Sequence, residues 1–368
     1  DVYKRQDVAA LTGERAYDEA LHNIWNNIVH QKIYLTGGIG AEPRHEGFGP
    51  NYELPNATAY TETCAAIALM LWNQRMFLKS GEVKYMDLFE RTLYNGFLSG
   101  VSFEGNTFFY PNPLEADGFT KFNQGVCGRS PWFDCSCCPV NVVRILPSLP
   151  GYIYATKENK VFVNLYMSNR AEIALGDQNL ELSQTTNYPW DGKIEIEVLN
   201  TPATAATFNL RVPGWVRNEV MDGDLYSYLD EHKPSVSLKV NGKNLTPLIE
   251  NGYITLEKHN WQKNDKITIA FEMPVRKVVS NELVTANKGK MALERGPLVF
   301  CAEEVDNPEG IQNSQFPADE VFTYKYEQDL LGGIGKITSP TLTAIPYYAW
   351  AHRGNGEMAV WLNKVPGQ

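Results

Sequence analysis

The chain has 368 residues, 43% hydrophobic and 21% charged, which is enough for two or three domains and excludes a disordered protein. Its 33 Lys and Arg stand against 43 Asp and Glu, a net charge of −10 with no basic run, which argues against nucleic acid as a partner. No apolar stretch approaches the roughly 18 residues of a membrane span, so no membrane partner is expected.

The chain opens Asp1-Val2-Tyr3-Lys4-Arg5-Gln6, with no initiator Met, no capping signal and no apolar centre of a leader peptide; it reads as a truncated or non-native start. Residues 14–30 carry Tyr17, Leu21, Ile24, Trp25 and Ile28 at helical spacing, which predicts a helix buried on that face. Residues 64–79 continue with Ile67, Ala68, Leu71, Trp72 and Met76, stopping before Ser80-Gly81, and residues 82–98 with Tyr85, Met86, Phe89, Leu93 and Phe97. Pro139 opens a further helix that Pro147 ends. Long Gly/Pro-rich loops separate these helices and are the expected carriers of functional groups. Near Lys157 the pattern changes to short β segments at 161–166, 180–187, 193–199, 207–212, 236–240 and 266–272. Turn signals such as Asp191-Gly192 and Asn241-Gly242 separate them, as in a β-sandwich. A last set at 291–302, 341–345 and 358–362 closes the chain. The expected class is multidomain α plus β: a helical domain over 1–158, a β-sandwich over 159–277, and a further β-rich domain or return segment over 278–368.

Four of the six cysteines crowd into Cys127, Cys135, Cys137 and Cys138. A chain this long needs no disulfide staples, and adjacent cysteines with Cα atoms about 3.8 Å apart do not readily bond each other. Thiols kept for metal binding or chemistry in a reducing compartment, hence a cytoplasmic protein, are the better reading. In Thr61-Glu62-Thr63-Cys64, a carboxylate and a thiol two residues apart diverge by about 200° on a helix but share a face when extended. They serve one site only if Glu62–Cys64 is the irregular lead-in to the helix, with Thr63 as N-cap. Otherwise Cys64 is a small buried hydrophobe and Glu62 a first-turn charge. In Cys135-Ser136-Cys137-Cys138-Pro139, Pro139 at the first helical position places two thiols at the positive end of a helix, which favours thiolate. That placement suits a nucleophile or a metal ligand, and a structural zinc site stands equally open. The turn Thr36-Gly37-Gly38-Ile39-Gly40 lacks a phosphate-binding order and presents Glu42, Arg44, His45, Glu46 and Glu53. Any of these carboxylates could be a general acid or a solvated charge. Asn56-Ala57-Thr58 and Asn244-Leu245-Thr246 match the glycosylation sequon.

Four longer strings carry a resemblance: Leu35 to Gly40 (LTGGIG), Leu54 to Cys64 (LPNATAYTETC), Phe108 to Leu114 (FFYPNPL) and Trp132 to Asn141 (WFDCSCCPVN). With Leu149 to Ala155 and, more loosely, Gly214-Trp215 and Arg295 to Cys301, they resemble glycoside hydrolase family 127, which includes the β-L-arabinofuranosidases. The Glu-x-Cys and Cys-x-Cys-Cys-Pro pair is specific. The resemblance implies a partial (α/α)6 barrel followed by β-sandwich domains, with the first part of the barrel missing. It implies zinc as the cofactor, held by Glu62, Cys64, Cys137 and Cys138, with Cys137 as the nucleophile. Glu46, sixteen residues before Glu62, corresponds to the acid/base glutamate, and Tyr110 and His45 to sugar-contacting residues. The implied activity is a retaining exo-glycosidase releasing terminal β-L-arabinofuranose or a related sugar from plant-derived glycans. The partner is then an oligosaccharide or glycoside substrate, and a homodimer is compatible with this reading. A non-catalytic carbohydrate-binding or structural protein with a zinc-stapled loop cluster is the alternative, and a lyase or epimerase on a helical toroid a further one.

Overall fold

The computed structural model describes residues 2–201, 205–312 and 314–365. Its helices are α1 (Val2–Thr12), α2 (Arg15–Gln31), α3 (Thr63–Ser80), α4 (Val83–Arg91) and α5 (Cys137–Ile145). Helix α1 falls where no capping residue signals one; it forms because Gln6 and Ala9 are buried and the helix packs on α3, and tertiary packing outweighs a missing cap. In α2 the buried stripe is Leu21, Trp25, Ile28 and Val29, whereas Tyr17 and Ile24 are 44% and 37% exposed. The expected face was therefore too wide. Trp25 sets it, donating its indole N–H to Asn73 at 2.9 Å and meeting Tyr85 edge-on.

Helix α3 is central: α1, α4 and α5 all pack on it, and it buries Ala66, Ile67, Leu69, Met70, Trp72, Met76 and Phe77 around most of its girth. The helical pattern over 82–98 is interrupted. After α4 the chain widens into a π-helical turn, Thr92–Phe97, and then a 3-10 turn, Leu98–Gly100. Asn95 uses that widening: its Nδ2 donates to Arg91 and Pro297 carbonyls, and its Oδ1 accepts from the Val299 N–H.

Two sheets follow. Six antiparallel strands run in the order Lys243–Leu245, Val236–Val240, Lys266–Phe271, Lys193–Asn200, Gln178–Thr186 and Asn169–Leu175. Five run Ile249–Glu250, Tyr253–His259, Ala206–Arg211, Lys160–Val163 and Tyr154–Lys157, with one parallel pair in the middle. Alternation sends Val161, Val163, Phe208, Leu210 and Ile254 of one sheet and Leu180, Leu182, Ile194, Ile196, Ile267 and Ile269 of the other into one core. An eleven-stranded curled sheet takes most of its strands from 275–364. It also recruits Tyr226–Tyr228 and Glu115–Asp117 from earlier in the chain. One face of this sheet, with Val278, Val299 and Ile345, shares a core with the helices, joined by Tyr347 of the turn after Thr343–Pro346. The class is mixed α plus β, with five described helices and three sheets.

Buried ion pairs fasten these units. Arg211 of the five-stranded sheet meets Asp87 and Glu90 of α4, and Arg217 meets Asp87 at 2.8 Å. Arg91 forms a two-pronged pair with Glu294 of the curled sheet and donates to the carbonyls of Leu35 and Val220. These bonds hold the glycine turn against the helices. A Cβ on Gly37 (φ 76°) would fall 2.6 Å from Thr92 Oγ1, and one on Gly38 2.9 Å from Thr61, so glycine here permits close packing.

Candidate active site and metal centre

Two extended segments, 60–63 and 109–112, are laced together. Asn112 N–H donates to Tyr60 O, Thr63 N–H to Tyr110 O and Thr63 Oγ1 to Phe109 O. Asn112 Nδ2 closes the lacing on Thr61 O and Thr63 Oγ1 at 2.9 and 3.0 Å. Helix α3 then begins at Thr63, with Glu62 in the capping position at φ −58°, ψ 138°. Thr63 is thus the first helical residue rather than the cap, because its hydroxyl is spent on Phe109. The irregular entry allows Glu62 and Cys64 to face one site.

Helix α5 begins at Cys137, with Ser136 as N-cap. Pro139 is its third residue, where its missing N–H also costs nothing, and both thiols sit at the positive helix end. The ligand atoms of Glu62, Cys64, Cys137 and Cys138 lie within 4.8 Å of one another, a group that could hold a metal ion. Cys137 and Cys138 Sγ are 3.6 and 3.5 Å from Glu62 Oε1 and 4.0 Å apart. Asn141 Nδ2 donates to Cys64 Sγ at 3.1 Å, and the Tyr110 hydroxyl lies 3.0 Å from Cys137 Sγ.

The electrostatics of this cluster are one-sided. Burial, and next the charge of Glu46, raise the Glu62 carboxyl above its usual range. Burial pushes the Cys137 thiol up to about 12, against the hydrogen bond from Tyr110. The hydrogen bond with Cys64, then burial, raise Cys138, while that with Cys138 lowers Cys64. Two of the three sulfurs are thus biased toward the thiol and one toward the thiolate. Beside Cys64 an open groove of about 550 Å³ runs between α3 and α5, lined by Ile67, Leu71, Asn141, Arg144 and Tyr152.

The loop after the glycine turn sorts its acidic residues. Glu42 accepts from the Arg44 N–H, and its backbone pairs with Gly47. Glu46 instead accepts a hydrogen bond from the Tyr60 hydroxyl at 2.8 Å. His45 is exposed at the tip beside Gly47 and is not part of the metal-competent group. Tyr110 is buried edge-on against Phe133 at 5.4 Å, with Tyr60 6.2 Å away. All six cysteines are free; Cys127 donates to Phe119 O and Cys301 is buried. The Asn56 sequon is closed off: Asn56 is buried and its Nδ2 donates to Asn287 at 2.8 Å.

Three polar residues of the site were not singled out from the sequence. Tyr60 lies two before Glu62, so on an extended segment they share a face. Asn141 lies four after Cys137, one helical turn along the same face. Asn112 had no local signal, since its partners lie 49 and 51 residues away.

Comparisons with known proteins agree along the chain. The catalytic domain of family 127 β-L-arabinofuranosidases matches residues 3–151, the family's middle domain 160–273 and its C-terminal domain 275–363. The non-reducing end β-L-arabinofuranosidase of Bifidobacterium longum subsp. longum is 34% identical over 396 residues, covering 96% of this chain and 56% of that protein. A solved family 127 β-arabinofuranosidase superposes with a TM-score of 0.94 at 45% identity, covering 99% of this chain and 59% of the other. A family 127 β-L-arabinofuranosidase from Geobacillus stearothermophilus superposes at 0.88 with 35% identity and the same coverage. The chain spans a little over half the length of these relatives.

Proposed function

Because this chain belongs to glycoside hydrolase family 127 along its helical, middle and C-terminal parts, we propose that it is a retaining exo-glycosidase acting on terminal β-L-arabinofuranosides or a related sugar of plant-derived glycans. Its helices are then read as part of an (α/α)6 barrel. The observation that carries the proposal is the convergence of Glu62, Cys64, Cys137 and Cys138 from two distant helix entries.

Zinc suits this donor set. With metal–sulfur bonds of about 2.3 Å and metal–oxygen bonds of about 2.0–2.2 Å, a tetrahedral site has edges of about 3.5–3.8 Å. The separations of 3.5, 3.6 and 4.0 Å among Glu62, Cys137 and Cys138 are close to that shape. Bound zinc would keep the sulfurs ionised near neutral pH, while three thiolates and a carboxylate leave the cluster anionic and Cys137 electron-rich. Cys137 Sγ attacks the anomeric carbon as Glu46 gives its proton to the departing oxygen; the C–O bond breaks and a thioglycosidic bond forms. Glu46, now a carboxylate, takes a proton from water, whose oxygen displaces the sulfur. Two inversions give retention. Tyr110 and His45 would contact the sugar, Tyr110 from beside the nucleophile.

Mass spectrometry of the chain quenched during turnover tests this. The expected result is one pentosyl unit on the peptide containing Cys137, absent in Cys137→Ser, which loses activity by about 10⁴-fold or more even where metal stays bound. Undiminished turnover in that variant would remove Cys137 from the reaction, and bound zinc without hydrolysis by the unmodified chain would return the cluster to a staple.

A further inference from the structure

Glu46 occupies a backbone that does not hold itself. It sits on an exposed turn closed by the Glu42–Gly47 pair, with N–H···O distances of 3.0 and 3.1 Å. Its own φ of 53° lies in the left-handed region, which a residue with a side chain keeps only when its surroundings impose it. Tyr60, in contrast, is fixed on both sides. Its carbonyl accepts from Asn112 at 3.1 Å, and the next residue, Thr61, donates to Gly40 O at 2.8 Å at the root of the same loop. The hydroxyl of Tyr60 donates to Glu46 Oε1 at 2.8 Å. Its ring lies 6.2 Å from that of Tyr110, whose hydroxyl is 3.0 Å from Cys137 Sγ. Two neighbouring phenols thus each hold one of the two groups assigned to the chemistry.

We infer that Tyr60 is a positioning residue for Glu46: its hydroxyl fixes Oε1, so that Oε2 carries the proton delivered to the leaving oxygen. The hydrogen-bonded extended segment that leads into the candidate metal centre then sets where the carboxyl of an exposed turn stands. Occupying Oε1 also leaves a single oxygen for proton transfer, so donation to the departing group and abstraction from water use the same atom. The inference rests on the acid/base reading of Glu46 above.

Tyr60→Phe removes only the hydroxyl and keeps the packing on Tyr110. It is compared with Glu46→Gln on two arabinofuranosides, one with an alkyl leaving group that needs acid help and one with an acidic phenol that does not. General acid–base catalysis is worth about 10²–10⁴-fold, and misplacing the acid should forfeit part of it. The comparison is read on kcat/KM, which reports the first, acid-assisted step: the expected result is a fall of about 10- to 100-fold on the alkyl glycoside and a change under about threefold on the aryl one, whose kcat falls instead because the base step then limits turnover. Equal losses on both substrates in Tyr60→Phe, with a clear split in Glu46→Gln, would overturn the role of Tyr60 alone. No split in Glu46→Gln would instead overturn the acid/base reading. A crystal structure of Tyr60→Phe decides independently of turnover: a displaced Glu46 carboxyl supports the inference and an unmoved one refutes it.

Discussion

Where α4 meets the sandwich, Asp87 and Glu90 are gathered around Arg211 and Arg217. Where α3 and α5 begin, Glu62 is gathered with Cys64, Cys137 and Cys138. Both clusters draw acidic groups out of water, at a desolvation cost the fold must offset. The first offsets it from within: two guanidiniums face two carboxylates, and Tyr188 adds a hydrogen bond to Glu90 at 2.9 Å. The second has no cation of its own among the described residues, only hydrogen bonds from Asn141 and Tyr110. A cluster that closes its own charge fastens domains together. One without a counter-charge among its neighbours could hold a metal ion.

That contrast can be broken most directly by exchanging damage between the two places. Glu90→Ala should lower the unfolding free energy by about 3–5 kcal/mol, because the buried Arg211 loses a partner, with metal content unchanged. Cys138→Ser should do the reverse, losing the metal with little effect on a fold held by ion pairs elsewhere. Metal analysis beside denaturant titration reads both; if Glu90→Ala also releases metal, the clusters are one unit and the contrast fails.

A smaller effect sharpens it. Asn141 Nδ2 donates to Cys64 Sγ, and outer partners of this kind are worth about 10–100-fold in metal affinity. Asn141→Ala should weaken zinc by that factor in a chelator competition, and a change under about twofold would make the bond idle.

A pH effect separates both clusters from the ordinary acid limb of stability. Burial, reinforced by Arg129, lowers the His352 imidazole to about 4. Its Nδ1 faces Ala349 O, and its Nε2 accepts the Phe103 N–H, a contact that a second ring proton would destroy. The unfolded chain takes up this proton near pH 6.5 and the folded chain only near 4, so stability is lost as pH falls through that window. His352→Gln should flatten the pH dependence of unfolding there; an unchanged slope would assign it elsewhere.

The residues that converge on the metal-competent group were singled out from the sequence. The Glu62–Cys64 and Cys137–Cys138 pairs stood out by their short spacing and by the helix start near Pro139, and the resemblance joined them into one ligand set. The expected irregular entry into α3 is present, displaced by one residue because Thr63 spends its hydroxyl on Phe109. Periodicity erred where packing is asymmetric: Tyr17 and Ile24 fit the stripe of α2, but the helix is covered along one narrower side. The π-helical turn had no signature at all, since it exists to let Asn95 reach Pro297 and Val299, more than 200 residues on.

Residue types, their short spacings and the alternation of strands were therefore enough to give the broad class and to mark the candidate metal-binding residues, while the family came from the resemblance of longer strings. That Glu46 rather than Glu42 takes a hydrogen bond from Tyr60, that Tyr110 stands against Cys137, and that Tyr226–Tyr228 leaves its neighbours to join a distant sheet were decided only by folding. The reason is physical: a periodic pattern reports what lies within a turn or a pleat, whereas a hydrogen bond across 49 residues, such as Asn112 to Thr63, depends on how whole elements pack.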